Sequence, residues 1–361
     1  MDNITRPTIM EIDLKAFLNN IEKIKKFVDK DVKIMPVIKA NGYGTYINTR
    51  LDVLNRFDIV ALATVDEGAY IRKLGYKKEI FILNQPYVSE ISKIIENNLV
   101  VGISSDSFAK ALGETGKEVK VHIEIGTGMG RTGINPKRAI EYLDSLNSNI
   151  KVEGVYTHLS SADSDDEYTK KQLESFKLAV KSIKEKIPLK YVHSHASNAI
   201  LNFAEMGYYN LVRPGLIMYG YPSDFETCKK IELEPVAKLK SKITFLKTVK
   251  EGTSIGYNRS FVTSKETKVA TIPIGYADGL RRSLSNKGEV VINGKKAKII
   301  GKICMGSFMA DVTDFDDINV GDEVYIWDNK NIKLEEISDL CGTINYEILC
   351  CISSRVPRVF I

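Results

Sequence analysis

The chain has 361 residues, 43% hydrophobic and 27% charged, which excludes a disordered polypeptide and leaves room for two or three domains. Fifty-one Lys and Arg against 46 Asp and Glu give a net charge of +5, dispersed rather than blocked, so no nucleic-acid partner is expected. No apolar run approaches the roughly 20 residues of a membrane helix. The opening MDNITRPTIMEIDL lacks the basic-then-apolar pattern of a signal peptide. The five cysteines, Cys228, Cys304, Cys341, Cys350 and Cys351, have no zinc-site spacing. They are expected as reduced, buried thiols in a cytoplasmic protein.

In chain order, PTIMEIDL reads as a strand and DLKAFLNNIEKIKKFV as an amphipathic helix capped by Asp13, with Leu14, Phe17, Leu18, Ile21 and Ile24 on one face. Eight strand-like runs follow: 33–38, 59–64, 80–84, 99–104, 119–125, 152–158, 191–195 and 211–219. Helix-like segments such as SEISKIIENN and DDEYTKKQLESFKLAVKSIKEK separate them. This alternation predicts an N-terminal (β/α)₈ barrel over 12–228. Near Ser223–Lys230 the texture becomes strand-rich and turn-punctuated, with turn signals at Asn293-Gly294 and Val320-Gly321-Asp322. A mostly β C-terminal domain is expected over 229–361, joined by the N-terminal strand 1–11.

A barrel carries its chemistry at the C-terminal ends of its strands. Lys39, Tyr43, Arg131, His158, His195, Asn198 and Arg213 fall there, a polar and cationic set suited to an anionic small molecule. Lys39 reads either as a solvated strand-end lysine or as a Schiff-base lysine, whose amine must be partly desolvated to act as a nucleophile. Gly128, Gly130 and Gly133 match a dinucleotide fingerprint, with Glu153 at the spacing of a ribose-binding acid. Four βα units precede this loop, however, whereas that fingerprint usually opens a fold. A tight loop exposing Arg131 is the preferred reading. His122 reads as an ordinary strand residue. His193 and His195 share a strand face, but nothing completes a ligand set, and no metal is expected. Backbone N–H groups of Asn198–Ala199 and Gly215–Leu216 could cup a phosphate, leaving Arg213 for another part of the ligand.

Lys39-Ala-Asn-Gly-Tyr-Gly44, Thr127-Gly-Met-Gly-Arg131, Thr157-His158, Arg213-Pro-Gly215, Pro273-Ile-Gly-Tyr-Ala-Asp-Gly279, Ile303-Cys-Met305, Asn345-Tyr-Glu347 and Arg355-Val-Pro-Arg358 occur in this order. The ordered set resembles the alanine racemase family of pyridoxal-phosphate enzymes over almost the whole chain. The resemblance implies that Lys39 binds pyridoxal 5'-phosphate covalently, with Tyr43, Asn198, Gly215 and Leu216 around its phosphate and Arg213 at its ring nitrogen. It implies Lys39 and Tyr257 as two bases on opposite faces, His158 bonded to Tyr257, and Arg131 and Met305 holding substrate, with Tyr276 at the entrance. It also implies a homodimer whose sites take Tyr257, Tyr276 and Met305 from the second subunit.

Several positions depart from the family pattern. Thr45-Tyr46 follow Gly44 where His-Gly is common. Glu124 stands for a lysine that is often carbamylated, Gly126 and Gly306 for aspartates, and Ser354 for a tyrosine near the phosphate. Glu124 is expected to pair with Arg131 or another nearby cation. The small Ser354 leaves serine or broader racemisation open beside alanine. A non-catalytic pyridoxal-phosphate carrier and a dehydrogenase using the glycine loop are the alternatives from other classes. A carrier would need no second base such as Tyr257.

Overall fold

The protein is described by a computed structural model covering residues 5–221 and 230–361. Cys228, the expected domain boundary and all of Ser223–Lys230 but its last residue lie outside the described residues. The chain forms two compact units. One comprises the segment ending at Phe17, Tyr43–Thr45 and Pro235–Ile361; the other comprises Leu18–Gly42 and Tyr46–Glu234.

The first strand, β1 (Ile9–Ile12), belongs to the first unit. Its alternating burial sends Met10 and Ile12 inward. The helix Leu14–Lys25 follows, and the Asp13 carboxylate accepts the Ala16 N–H at 2.8 Å as its cap.

The second unit contains eight parallel strands: β2 (Lys33–Ile34), β3 (Ile59–Leu62), β4 (Glu79–Ile82), β5 (Val100–Ile103), β6 (Val119–Glu124), β7 (Ile150–Tyr156), β8 (Tyr191–His193) and β9 (Leu211–Val212). Strands β3 to β8 form one curled sheet. The ring is completed by the β2–β9 pair and by parallel bridges at Val37–Ala61 and Ala196–Arg213. The expected eighth run is shorter than its apolar length suggested. Pro214-Gly215 ends the strand, and Leu216–Tyr219 winds into a 3₁₀ turn.

Inside this barrel the rings of Phe81 and His122 stack at 4.5 Å, and those of Tyr156 and His193 at 5.0 Å. Near the N-terminal ends of the strands, Glu79, Lys120, Glu153 and Lys190 form an ion-pair network with contacts of 2.6–3.4 Å. Chemistry is thereby left to the opposite mouth.

The rest of the first unit is built on β10 (Ala237–Lys242), β11 (Phe245–Val249), β12 (Ser254–Ile255), β13 (Phe261–Val262), β14 (Thr267–Ile272), β15 (Glu289–Ile292), β16 (Lys295–Ile300), β17 (Phe308–Asp311), β18 (Glu323–Trp327) and β19 (Arg358–Phe360). Nine strands make one sheet in the order β11-β14-β17-β16-β15-β18-β10-β1-β19, and β12 and β13 form a separate ribbon. Strand β1 runs antiparallel to β10 and parallel to β19. Two helices, Leu334–Cys341 and Asn345–Cys351, interrupt the β character of this unit. None of the four described cysteines is buried, which corrects the expectation of core thiols, and none of the four is in a disulfide.

Candidate active site

Lys39 lies beyond β2, after residues 35–38, and is half-buried. Beyond it the backbone turns left-handed: Ala40, Asn41, Gly42 and Tyr43 have φ of 51°, 53°, 60° and 54°. Each non-glycine residue in this region costs roughly 1–2 kcal/mol, so surrounding bonds must hold the turn. Gly42 N–H reaches Ile38 O at 3.0 Å, Tyr46 N–H reaches Asn41 O at 2.7 Å, and Ala40 N–H donates to Glu67 Oε1 at 2.6 Å. Tyr43 is buried within the other unit, its ring 5.7 Å from that of Tyr346. Burial, with Tyr346 and Cys350 adding to it, raises its phenol far above the usual range.

Arg213, after β9, is fully enclosed. Nη1 donates to His193 Nδ1 and His193 O, both at 2.8 Å, and Nη2 donates to Thr157 O at 2.8 Å. Nη2 also meets His158 Nδ1 and Ser194 O at 3.4 Å. Among the described residues no acceptor meets its Nε–H. Burial lowers its pKa to about 10, with Tyr156 and Glu124 opposing, so it remains a cation at neutral pH.

These bonds fix tautomers. His193 accepts at Nδ1, so its Nε2 carries the proton and donates to His122 Nδ1 at 2.8 Å. His122 Nε2–H then has no acceptor among the described residues. Burial drives both rings neutral, His122 to about 3 and His193 well below its usual value. His122 is thus part of a buried relay behind Arg213, a role its sequence position did not reveal. The other member of the histidine pair, His195, accepts from Ser194 Oγ and donates to Phe203 O, away from any ligand set. Among the described residues no cluster of His, Cys, Asp or Glu is arranged to hold a metal ion.

His158 ends the β7 segment. Burial first, then the positive charges of Arg213, Arg131 and Lys39, lower it to about 3. One neutral imidazole therefore sits in the field of all three cations of the barrel mouth. With Nδ1 facing Arg213, its proton is on Nε2.

The glycine loop after β6 folds back on itself, with Gly126 N–H on Ile134 O and Ile134 N–H on Glu124 O, both at 2.8 Å. Gly128, Gly130 and Gly133 all have positive φ, and a Cβ on Gly133 would lie 2.5 Å from Gly126 N. Backbone geometry thus accounts for the glycine spacing and leaves Arg131 exposed. The expected Glu124–Arg131 pair does not form. Glu124 is buried inside the barrel, where Tyr156 Oη lies 3.2 Å from its carboxylate. The strand alternation turns it inward, away from the exposed loop.

Asn198 donates to Asp163 at 3.0 Å. Gly215 N–H donates to the buried Ser197 Oγ at 3.0 Å, so this N–H, expected to face a phosphate, is already engaged. Leu216 is buried and opens the 3₁₀ turn. In the other unit, Tyr257, Met305 and Tyr276 are 65%, 60% and 45% exposed. The loops of Tyr276 and Met305 are tied together: Tyr276 N–H bonds to Cys304 O at 3.1 Å and Ala277 N–H to Met305 O at 2.9 Å. A side chain on Gly275 would overlap the Cys304 carbonyl oxygen. Gly256, before Tyr257, lies against the backbone of Gly301 and Lys302. Ser354 is exposed, with no side-chain hydrogen bond among the described residues.

Known proteins resemble the chain over almost its whole length. The family model for the alanine racemase N-terminal domain matches residues 12–223, and that for the C-terminal domain matches 236–360. An alanine racemase of Halothermothrix orenii is 38% identical over 370 residues, covering 99% of this chain and 97% of that one. A solved alanine racemase of Clostridium difficile superposes with a TM-score of 0.92 at 35% identity, over 99% of this chain and 97% of the other. One from Bartonella henselae, described with covalently bound pyridoxal phosphate, gives 0.88 at 27% identity, over 98% and 99% of the two chains. Both domain models are matched in order and the relatives align end to end: the chain belongs to the alanine racemase family.

Proposed function

We propose that this protein interconverts L- and D-alanine with pyridoxal 5'-phosphate, using Lys39 and Tyr257 as bases on opposite faces of the substrate. The observation that carries this reading is the enclosed Arg213 at the barrel mouth, held by His193 and Thr157 with His158 Nδ1 3.4 Å away, so that its Nε–H is left for an acceptor. The donor set fits the cofactor. Lys39 supplies an amine to hold it covalently. Arg213 would offer its Nε–H to the ring nitrogen of the cofactor. Tyr43, Asn198, Gly215, Leu216 and Ser354 are the residues assigned to its phosphate.

When bound, the cofactor supplies a conjugated electron sink that lets the Cα proton of an amino acid leave. Lys39 Nζ takes or returns that proton on one face, and the Tyr257 oxygen does so on the other. Removal on one side and delivery on the other inverts the centre without rotating the substrate. An isolated phenol has a pKa of about 10, so a tyrosine base needs a donor beside it. Neutral His158, with Nε2–H outward, can be that donor. Arg213 stays charged and disfavours a protonated ring nitrogen next to it, which tempers the sink and limits side reactions such as transamination. Arg131 and the Met305 backbone are assigned the substrate carboxylate.

The exposure of Tyr257, Tyr276 and Met305, the last two on linked loops, supports a homodimer in which a second copy brings them to the barrel mouth. A cytoplasmic location belongs to this reading; among the described residues no helix is long and apolar enough to cross a membrane. The test is to load the purified protein with cofactor, supply L-alanine and resolve the enantiomers chromatographically. D-alanine should accumulate until the two are equal, since enantiomers have equal free energies in water. Absence of D-alanine, with turnover of some other L-amino acid, would reassign the substrate.

A further inference from the structure

We infer that Glu67 is a positioning residue that fixes the backbone on which Lys39 is mounted, an inference that rests on the reading of Lys39 as the cofactor-holding lysine. Glu67 lies in the first turn of the helix Val65–Leu74, whose N-cap is Thr64. Part of its bonding is ordinary helix capping: the Thr64 hydroxyl accepts the Glu67 N–H at 3.3 Å, and Glu67 Oε2 accepts the Thr64 N–H at 3.1 Å. Two further bonds lie outside the capping box. Oε2 also accepts Ala63 N–H at 2.8 Å, and Oε1 accepts Ala40 N–H at 2.6 Å, from a residue 27 positions away.

The carboxylate thus staples the peptide joining Lys39 to Ala40 onto the end of β3. That peptide enters a left-handed turn in which Ala40, with φ 51° and ψ 52°, has no intrinsic reason to stay. Further along the chain, Gly42 N–H and Tyr46 N–H hold later parts of the turn. Ala40 N–H is held by Glu67, and a hydrogen bond to an ionised carboxylate is the strong kind. If it is released, Ala40 relaxes toward right-handed or extended backbone, and the Cα–Cβ direction of Lys39 swings with it. Misplacing a reacting group by about 1 Å can cost on the order of a hundredfold in rate.

The test compares Glu67→Gln and Glu67→Asp with Thr64→Ala, which loses the hydroxyl cap and leaves the Glu67 carboxylate in place. Borohydride reduction of the cofactor-loaded protein, followed by peptide mass spectrometry, reads how much cofactor is attached at Lys39. Hydrogen exchange over residues 38–46 reads the turn in the cofactor-free protein. Both Glu67 variants should exchange faster in this segment, attach less cofactor at Lys39 and lose roughly tenfold or more in kcat with KM little changed. Thr64→Ala should lose thermal stability with kcat within about twofold of the parent. Equal kcat losses in Thr64→Ala and Glu67→Gln would reduce Glu67 to a helix cap and overturn the inference. Unchanged exchange and unchanged attachment in both Glu67 variants would overturn it as well. If the parent protein is not trapped at Lys39, it is the reading of Lys39 that fails; trapping that is normal in the parent and in both Glu67 variants fails only the positioning role.

Discussion

Lowering the pH from 7.5 to 5.5 should remove about 5 kcal/mol of folding stability through the histidines alone. The chain has four histidines. Burial depresses His122 and His158 to about 3, His195 to about 4, and His193 well below its ordinary value. In the unfolded chain each returns to about 6.5. The unfolded state therefore binds protons first as the pH falls. The stability these rings contribute is complete above the unfolded value and drains away below it until the folded values are reached. Between pH 7.5 and 5.5 the linkage relation gives about 1.4 kcal/mol per histidine, or about 5 kcal/mol for four. A typical domain has only 5–15 kcal/mol in all. Urea unfolding of the cofactor-free protein at the two pH values measures the loss. Proton uptake on denaturation at pH 5.5 should reach roughly three to four per chain. A stability that is flat across this interval, or an uptake below one proton, would refute neutral burial of the four rings and with it the tautomer chain behind Arg213.

Gly275→Ala places a methyl group against the Cys304 carbonyl oxygen and 2.5 Å from the Met305 carbonyl; it should cost about 1–3 kcal/mol on thermal unfolding and raise KM by shifting Tyr276 and Met305 together. Racemase activity should not respond to added bicarbonate, because Glu124 has no side-chain amine to carbamylate; stimulation by bicarbonate would contradict this. Ser354→Tyr should lower the serine-to-alanine ratio of kcat/KM, since one methylene or hydroxyl of pocket space is worth about 1–3 kcal/mol. An unchanged ratio would remove Ser354 from the specificity of the site.

The eight barrel strands could be read in the sequence because each is a short apolar run between helical periods, and Lys39 and Arg213 could be placed because both sit where such runs stop. The two C-terminal helices could not. They span eight and seven residues and start after Lys333 and Ile344, which offer no side-chain cap. Three cysteines lie in these helices, and none of the three is buried, so the usual tendency of cysteine to be buried misled there. The relay through His193 and His122 requires β6 and β8 to flank β7 in one sheet, in a register that no local pattern encodes. The same holds for Glu124, whose partner Tyr156 sits on the neighbouring strand, opposite it in register. Glu67 was hidden for a different reason. Its capping box is visible in the sequence, but its bond to Ala40 is made across 27 residues of chain.

The most direct test of the two-base account follows solvent deuterium into alanine during single turnovers of Tyr257→Phe and Lys39→Ala, each loaded with cofactor. Tyr257→Phe should still exchange the Cα proton of one enantiomer while losing exchange of the other. Lys39→Ala should lose racemisation together with covalent attachment of the cofactor. Chains of the two variants mixed into heterodimers should regain part of the activity, because one of the two shared sites then has both bases. Equal, small effects of Tyr257→Phe on both enantiomers, or no recovery in confirmed heterodimers, would contradict a site built from Lys39 of one subunit and Tyr257 of the other.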